Sequence, residues 1–242
     1  LKMIYRPQTL VFVRHAESLW NAAARKGRGE LKKAPPELMG IPDHLTRLSE
    51  AGKEQAAKTG KALSEIFGSF DTVYYSPWKR TTETAQIIVD QFTDAEREKM
   101  KKRLFRNIFI VEQNFGDLDI GVGDPGAVEK AYEDFYKARE RIGKFWTRPP
   151  NGECWWDVCM RTHTFLDIIF KPNRHKEKIL VVLHGISMQT TRYHLERMNE
   201  VELVENYQED KIKNCGTAHY EWNPTLGELG RYELRFWNRV FY

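Results

Sequence analysis

The residues of this 242-residue chain best suited to chemistry stand just past its apolar runs. Arg14 and His15 follow Thr9–Val13. Ser76-Pro77 and then Arg80 follow Asp71–Tyr75. Glu112 follows Asn107–Val111, and His184 and Gly185 follow Ile179–Leu183. Each has an ordinary use when taken alone: an ion-paired arginine, a solvated glutamate, a hydrogen-bonded core histidine. Ligands of open α/β sheets collect at the carboxyl ends of strands, so these groups would meet at one edge. Two arginines and two histidines suit an oxyanion with spread charge, such as a phosphoryl group. A carboxylic acid beside them suits protonation of a leaving alkoxide. The chain has no G-x-x-x-x-G-K-[ST] loop and no carboxylate cluster for Mg²⁺. Phosphoryl transfer through a histidine, without metal, is the chemistry that remains.

The elements that must position these groups alternate. Thr9–Val13, Asp71–Tyr75, Asn107–Val111 and Ile179–Leu183 read as strands. Helical spacing runs from Ser49 to about Phe67, from Pro77 to about Phe92, over Pro125–Trp146 and over Glu153–Phe170, and a last helix follows Ile179–Leu183 through about Arg197. Ala218–Trp222 and Tyr232–Trp237 alternate as a terminal strand pair. This order predicts an α/β fold: a three-layer α/β/α sandwich with a mainly parallel sheet, in one domain over residues 1–242. The polar, basic, Pro/Gly-rich stretch Ala22–His44 reads as a long loop of the kind that serves as a lid or as mobile surface.

Composition sets the outer bounds. Charged residues are 30% and apolar residues 41%, which excludes a disordered or fibrous chain. The longest apolar run, Ile179–Leu183, is far too short for a bilayer, and Leu1–Gln8 does not read as a signal peptide. Three cysteines, with no C-x-x-C, point to a reducing, cytoplasmic setting. Cys154 and Cys159 are expected as packed thiols. The net charge of +4 suits an anionic small molecule. The Arg25–Lys33 cluster is the one feature favouring nucleic acid, and it lacks interleaved aromatics, so no nucleic-acid partner is expected. Oligomeric state is not legible.

Several segments carry a family resemblance. Arg14-His15-Ala16-Glu17-Ser18-Leu19-Trp20-Asn21 resembles the R-H-G-E-[ST]-x-x-N motif of the histidine phosphatase superfamily, also called phosphoglycerate mutase-like. Ser76 through Ala85 resembles its S-P-x-x-R-x-x-x-T-A motif, and Val111 through Gly116 its E-x-x-[FY]-G element. Asn151-Gly152-Glu153 and Leu183-His184-Gly185 resemble its later motifs, in the family's order. Four further segments are similar to the broad-range acid phosphatase branch: Ile41–His44, Glu112–Gly116, Arg148–Glu153 and Lys213–Cys215. Ala16 departs from the usual glycine and Cys154 from the usual serine.

The resemblance implies a phosphoglycerate mutase-like fold and a metal-independent phosphatase without cofactor, acting on a small phosphomonoester. It implies His15 as nucleophile, with Glu112 as the acid that protonates the leaving group and then activates water. Arg14, Arg80, His184 and Asn21 would bind the phosphoryl oxygens, Ser18 would touch phosphate or cap a helix, and Gly185 would leave room for backbone approach. Asp117 is the nearest alternative acid. Neighbouring cations would keep His15 neutral, and a backbone carbonyl would fix its tautomer.

Two other functions compete. A phosphoglycerate mutase would send the phosphoryl group to a second substrate. Family mutases carry paired arginines in a long insertion after the acid, whereas Arg139 and Arg141, two residues apart on a helix, face different sides. A non-catalytic phosphate-binding module would not need the complete set of groups. Trp20, Trp78, Trp155 and Trp156 are candidates either for a substrate pocket or for the core.

Overall fold

The structure, a computed structural model, describes residues 6–26, 35–119, 125–170 and 177–242. In chain order the elements are β1 (Thr9–Arg14), α1 (Leu19–Lys26), α2 (Glu50–Phe67), β2 (Thr72–Tyr75), α3 (Lys79–Val89), α4 (Asp94–Lys101) and β3 (Leu104–Arg106). Then come α5 (Pro125–Ile142), α6 (Trp155–Ile169), β4 (Lys178–Leu183), α7 (Gly185–Glu196), α8 (Glu200–Glu209), β5 (Thr217–Asn223) and β6 (Arg231–Arg239). The strands form one sheet in the order β3-β2-β4-β1-β5-β6. The first four of that order run parallel, and β5 and β6 continue it antiparallel.

The pleat explains the two helical layers. Side chains alternate across a strand, so Leu10 and Phe12 pack with Ile179, Val181 and Leu183 beneath Phe165 and Ile169 of α6 and Met188 of α7. Val11, Val13, Leu180 and Val182 face the other way, onto Leu63 of α2, Ile88 of α3 and Met100 of α4. The central strands are buried on both faces, which is why they read as continuous apolar runs. Gly60 permits α2 to cross α3, since a Cβ there would lie 2.8 Å from the Ile88 backbone. The sandwich expected from the alternation is therefore present.

Three expectations change. The apolar stretch Asn107–Val111 is not a strand: β3 precedes it, and Ile108–Ile110 is a 3₁₀ turn. Asn107 bends the chain by accepting the Phe109 N–H on its side chain at 2.8 Å. Arg161 then takes the Phe109 and Val111 carbonyls, so the backbone bonds that a ladder would use are already satisfied. The helix expected over Pro125–Trp146 stops at Ile142, where Gly143 turns at φ +81°. Ile142, at its end, is half exposed. Within the expected loop Ala22–His44, α1 extends to Lys26 and short 3₁₀ turns occupy Pro36–Leu38 and Asp43–Leu45. Residues 27–34 of that loop lie outside the described residues. Helices α4 and α8 were not anticipated, although Thr93 with Glu96 and Asn199 with Glu202 form capping boxes.

Candidate active site

Strand β1 ends at Arg14, and the next residue carries the imidazole that faces the cleft. The His15 N–H bonds the Leu183 carbonyl at the end of β4, so the strand ladder fixes the backbone here. Its Nδ1 lies 2.8 Å from the Ala16 carbonyl, which can only accept; Nδ1 therefore carries the proton. Nε2 is left as the lone-pair nitrogen, and Arg80 donates to it through Nε at 3.2 Å. Burial, then the charges of Arg80 and Arg14, hold the His15 pKa well below the ordinary imidazole value. Ala16 does not adopt a positive φ, so no glycine is needed there.

Arg80 sits in the first turn of α3 and is buried. Its far edge is held by Asp43, with Nη1 on Oδ1 at 2.9 Å and Nη2 on Oδ2 at 3.2 Å, and Nη1 also reaches the Asp43 carbonyl at 2.8 Å. Its guanidinium lies over the Trp78 ring. With the terminal nitrogens on Asp43, the Nε side of the guanidinium is turned toward His15. Thr84, one turn along α3, ties the two groups together: its hydroxyl accepts the Ala16 N–H at 3.0 Å and donates to the Arg80 carbonyl at 2.6 Å.

His184 follows β4 and packs its ring 5.2 Å from that of His15. Ser76 accepts the Trp78 N–H, and its hydroxyl is 2.7 Å from His184 Nε2. The hydroxyl can donate to Nε2, and Nδ1 then carries the imidazole N–H. Burial, then Arg80 and His15, also keep His184 from charging. His184 Nδ1 and Arg14 Nε are both buried and lack a protein partner among the described residues. Two unspent donors beside the His15 ring are what an oxyanion requires.

Glu112 reaches the same edge by another route, past the 3₁₀ turn and onto the N-terminus of α7. Its Oε1 accepts the Gln113 and Ile186 N–H groups, each at 3.0 Å, and the Ile186 N–H is shared with Oε2 at 3.3 Å. Burial raises its pKa against the opposing pull of those bonds and of Arg80 and Arg14. A Cβ on Gly185 would come 3.5 Å from Glu112 Oε2 and 3.7 Å from Arg14 Nε. Gly185 therefore keeps clear the space between acid and arginine. Arg161 of α6 holds the arm by donating to the Phe109, Val111 and Glu112 carbonyls and to Glu153.

Ser18 and Asn21 have the local use. The Asn21 N–H donates to Ser18 Oγ and the Ser18 N–H to Asn21 Oδ1, a reciprocal cap that starts α1. Asn214 also donates to Asn21 Oδ1 and to the His15 carbonyl, which ties Asn21 to the site. Asp117 is exposed and receives Asn151, away from this edge. Trp20 and Trp78 line a cavity of about 240 Å³ with Asp43 and His44. Trp155 is buried and Trp156 is partly exposed. All three cysteines are free and buried, and Cys159 has its thiol pushed up to about 12. Among the described residues, no cluster of His, Cys, Asp and Glu could hold a metal ion. No helix among them is long and apolar enough to cross a membrane.

Sequence reading missed Asp43, Ser76 and Arg161 as parts of the site. Asp43 and Ser76 stand inside quoted motifs and act through Arg80 and His184. Arg161 had no signal for its hold on the Glu112 segment, because the partners there are backbone carbonyls about 50 residues away.

Comparison with known proteins decides the family. A model of the histidine phosphatase superfamily (branch 1) matches residues 10–234. The chain belongs to that superfamily. Like other members of the histidine phosphatase superfamily, it is an enzyme. Among its relatives is a 2,3-bisphosphoglycerate-dependent phosphoglycerate mutase of Bartonella tribocorum, 29% identical over 198 residues, 81% of this chain and 85% of the relative. The phosphoglycerate mutase-like protein AT74H of Arabidopsis thaliana is 27% identical over 93% of this chain and 76% of its own length. A putative α-ribazole-5'-P phosphatase from Escherichia coli superposes with a TM-score of 0.70 at 20% identity, covering 97% of each chain. At that identity the likeness speaks for the fold of this histidine phosphatase.

Proposed function

We propose that this histidine phosphatase hydrolyses small phosphomonoesters through a phosphohistidine at His15, without metal. The observation that carries the reading is the tautomer. Nδ1 is spent on the Ala16 carbonyl, and Nε2 is unprotonated, its lone pair held only by the Arg80 Nε–H until phosphate enters. In the first step Nε2 attacks phosphorus and the bond to the ester oxygen breaks. The leaving oxygen takes the electron pair and the proton of Glu112, carried on Oε2, which receives only the longer 3.3 Å branch of the Ile186 N–H while Oε1 takes the two 3.0 Å bonds. Arg80, Arg14 Nε and His184 Nδ1 donate to the non-bridging oxygens. Asn21 assists at their margin, through its amide nitrogen. Glu112, now a carboxylate, takes a proton from water as the water oxygen attacks phosphorus. The P–N bond breaks, orthophosphate leaves and His15 returns to its neutral tautomer.

The names of the relatives favour a second reading, transfer between phosphoglycerates. Against it, Arg139 alone faces the cavity beside the site, and Arg141 is exposed, so no arginine pair is presented. The test uses rapid quench. Brief reaction with ³²P-phosphomonoester and an alkaline stop leaves acid-labile label on the wild type and none on His15→Ala. Turnover persists in excess EDTA. Release of labelled orthophosphate, with no isomerisation of 3-phosphoglycerate in the presence of 2,3-bisphosphoglycerate, favours water as acceptor. Label retained by His15→Ala, or activity abolished by EDTA and restored by Mg²⁺, overturns the proposal.

A further inference from the structure

A second cavity of about 220 Å³, lined by Gln113, the residue after Glu112, is not used by the mechanism above. It shares Gln113, Phe115, Leu118 and Tyr132 with the cavity in front of Trp78, so the two adjoin. Its own walls include Ile186, whose N–H is bound to Glu112. They also include Phe135, Trp155 and Tyr207, together with Arg139 and Lys144.

The charges in this cavity are unbalanced. Lys144 Nζ lies 3.5 Å from the centre of the Tyr207 ring and 4.7 Å from that of Trp155. Ring faces attract a cation but do not neutralise it. No aspartate or glutamate lines the cavity among the described residues. Elsewhere in the molecule Arg80 pairs with Asp43, Arg161 with Glu153 and Arg192 with Glu196. Burial, then the nearby charges of Arg139 and Lys211, bring the Lys144 ammonium down to about 7. Such a site lacks an anion. Its position gives the direction from which one would come. The Tyr207 hydroxyl is raised by burial and then by the charge of Glu112, so this cavity adjoins the group that meets the leaving oxygen.

We propose that the Trp155–Tyr207 cavity is the leaving-group subsite, selecting phosphomonoesters whose leaving group has an aromatic or apolar body and ends in a second anionic group. The body lies among Tyr132, Phe135 and Trp155, and the distal anion is received by Lys144 and Arg139. This rests on the phosphatase reading above and assigns the substrate class to it.

The test compares charged and uncharged leaving groups of matched shape. Phenyl and biphenyl phosphates are measured against their 4-carboxy and 4'-carboxy derivatives, with wild type and with the double variant Lys144→Met, Arg139→Gln. At least one carboxylated ester exceeds its parent in kcat/KM by tenfold or more in the wild type, and the ratio falls toward one in the double variant. A ratio near one throughout the wild-type series overturns the proposal, as does a preference that survives the double variant. Calorimetric binding of the matching arylphosphonates, with and without the carboxylate, reads the subsite without turnover. An enzyme that binds the carboxylated phosphonate tenfold better yet hydrolyses none of the esters keeps the subsite and refutes the phosphatase reading.

Discussion

The two sides of the cleft are built by different means. His15, Arg14 and His184 stand at the ends of β1 and β4, where the strand ladder itself fixes their backbone. Glu112 stands on an arm between a short edge strand and α5, shaped by a 3₁₀ turn. One side inherits its geometry from the most buried part of the sheet. The other depends on a few hydrogen bonds, most of them from Arg161. His15, Arg14 and His184 are thereby part of the fold, whereas Glu112 is fastened to it afterwards. Arms of this kind can change while the sheet edge stays as it is.

Substitutions can be ranked by which side they break. On the sheet side, Arg80→Ala removes charge stabilisation that every substrate needs. Phosphorylation of the enzyme falls by about 10²–10³-fold, alike for an alkyl phosphate and for nitrophenyl phosphate, as read by pre-steady-state quench. A loss confined to one substrate would place Arg80 outside the phosphoryl clamp. On the arm side, Glu112→Gln slows phosphorylation by the alkyl phosphate by on the order of 10²-fold. Nitrophenyl phosphate is affected far less, because nitrophenolate leaves almost without a proton. Equal losses for the two substrates would show that Glu112 is not the acid.

The pH profile sharpens the same contrast. His15 must be neutral, and its pKa is depressed, so the acidic limb of kcat/KM lies below the usual imidazole titration. Glu112 must be protonated, and its pKa is raised, so for an alkyl phosphate the alkaline limb lies above the ordinary carboxyl range. Glu112→Gln removes that alkaline limb and leaves the acidic one. An acidic limb at the usual imidazole pH would contradict the depression of His15.

The smallest effect belongs to the fastening. Arg161→Gln releases the arm and costs about 10-fold, through misplacement of Glu112. If Arg161 acts through Glu112, its loss is greater for the alkyl phosphate than for nitrophenyl phosphate. A uniform loss, together with a lowered melting temperature, would mark a general packing role.

This division also describes what could be read from the sequence. The sheet side was legible because β1 and β4 are buried on both faces and therefore appear as unbroken apolar runs with the chemistry directly after them. Glu112 was legible as a residue but not in its route. Ile108 to Val111 has strand-forming residue types, and only the Asn107 side chain and the remote Arg161 turn it into a helix-like bend. Asp43 was hidden for a related reason. It lies 37 residues from Arg80 in a segment whose composition signals only a loop. Ion pairs of that range leave no periodicity to detect. Ser18 and Asn21 show the converse: three residues apart, they announce a cap, and the structure uses them as one.

The Thr84 hydroxyl has a consequence for motion. It is the one protein acceptor of the Ala16 amide among the described residues, and it holds the Arg80 carbonyl at the same time. The amide proton of Ala16 can therefore exchange with solvent only when the first turn of α3 separates from the end of β1. In hydrogen-exchange experiments the Ala16 amide should report the opening of this junction. In Thr84→Val, which keeps the shape and drops the tie, that amide should exchange faster while the β1 amides inside the ladder remain protected. The nucleophile and its clamp, 65 residues apart in the chain, would then be seen to breathe as one unit.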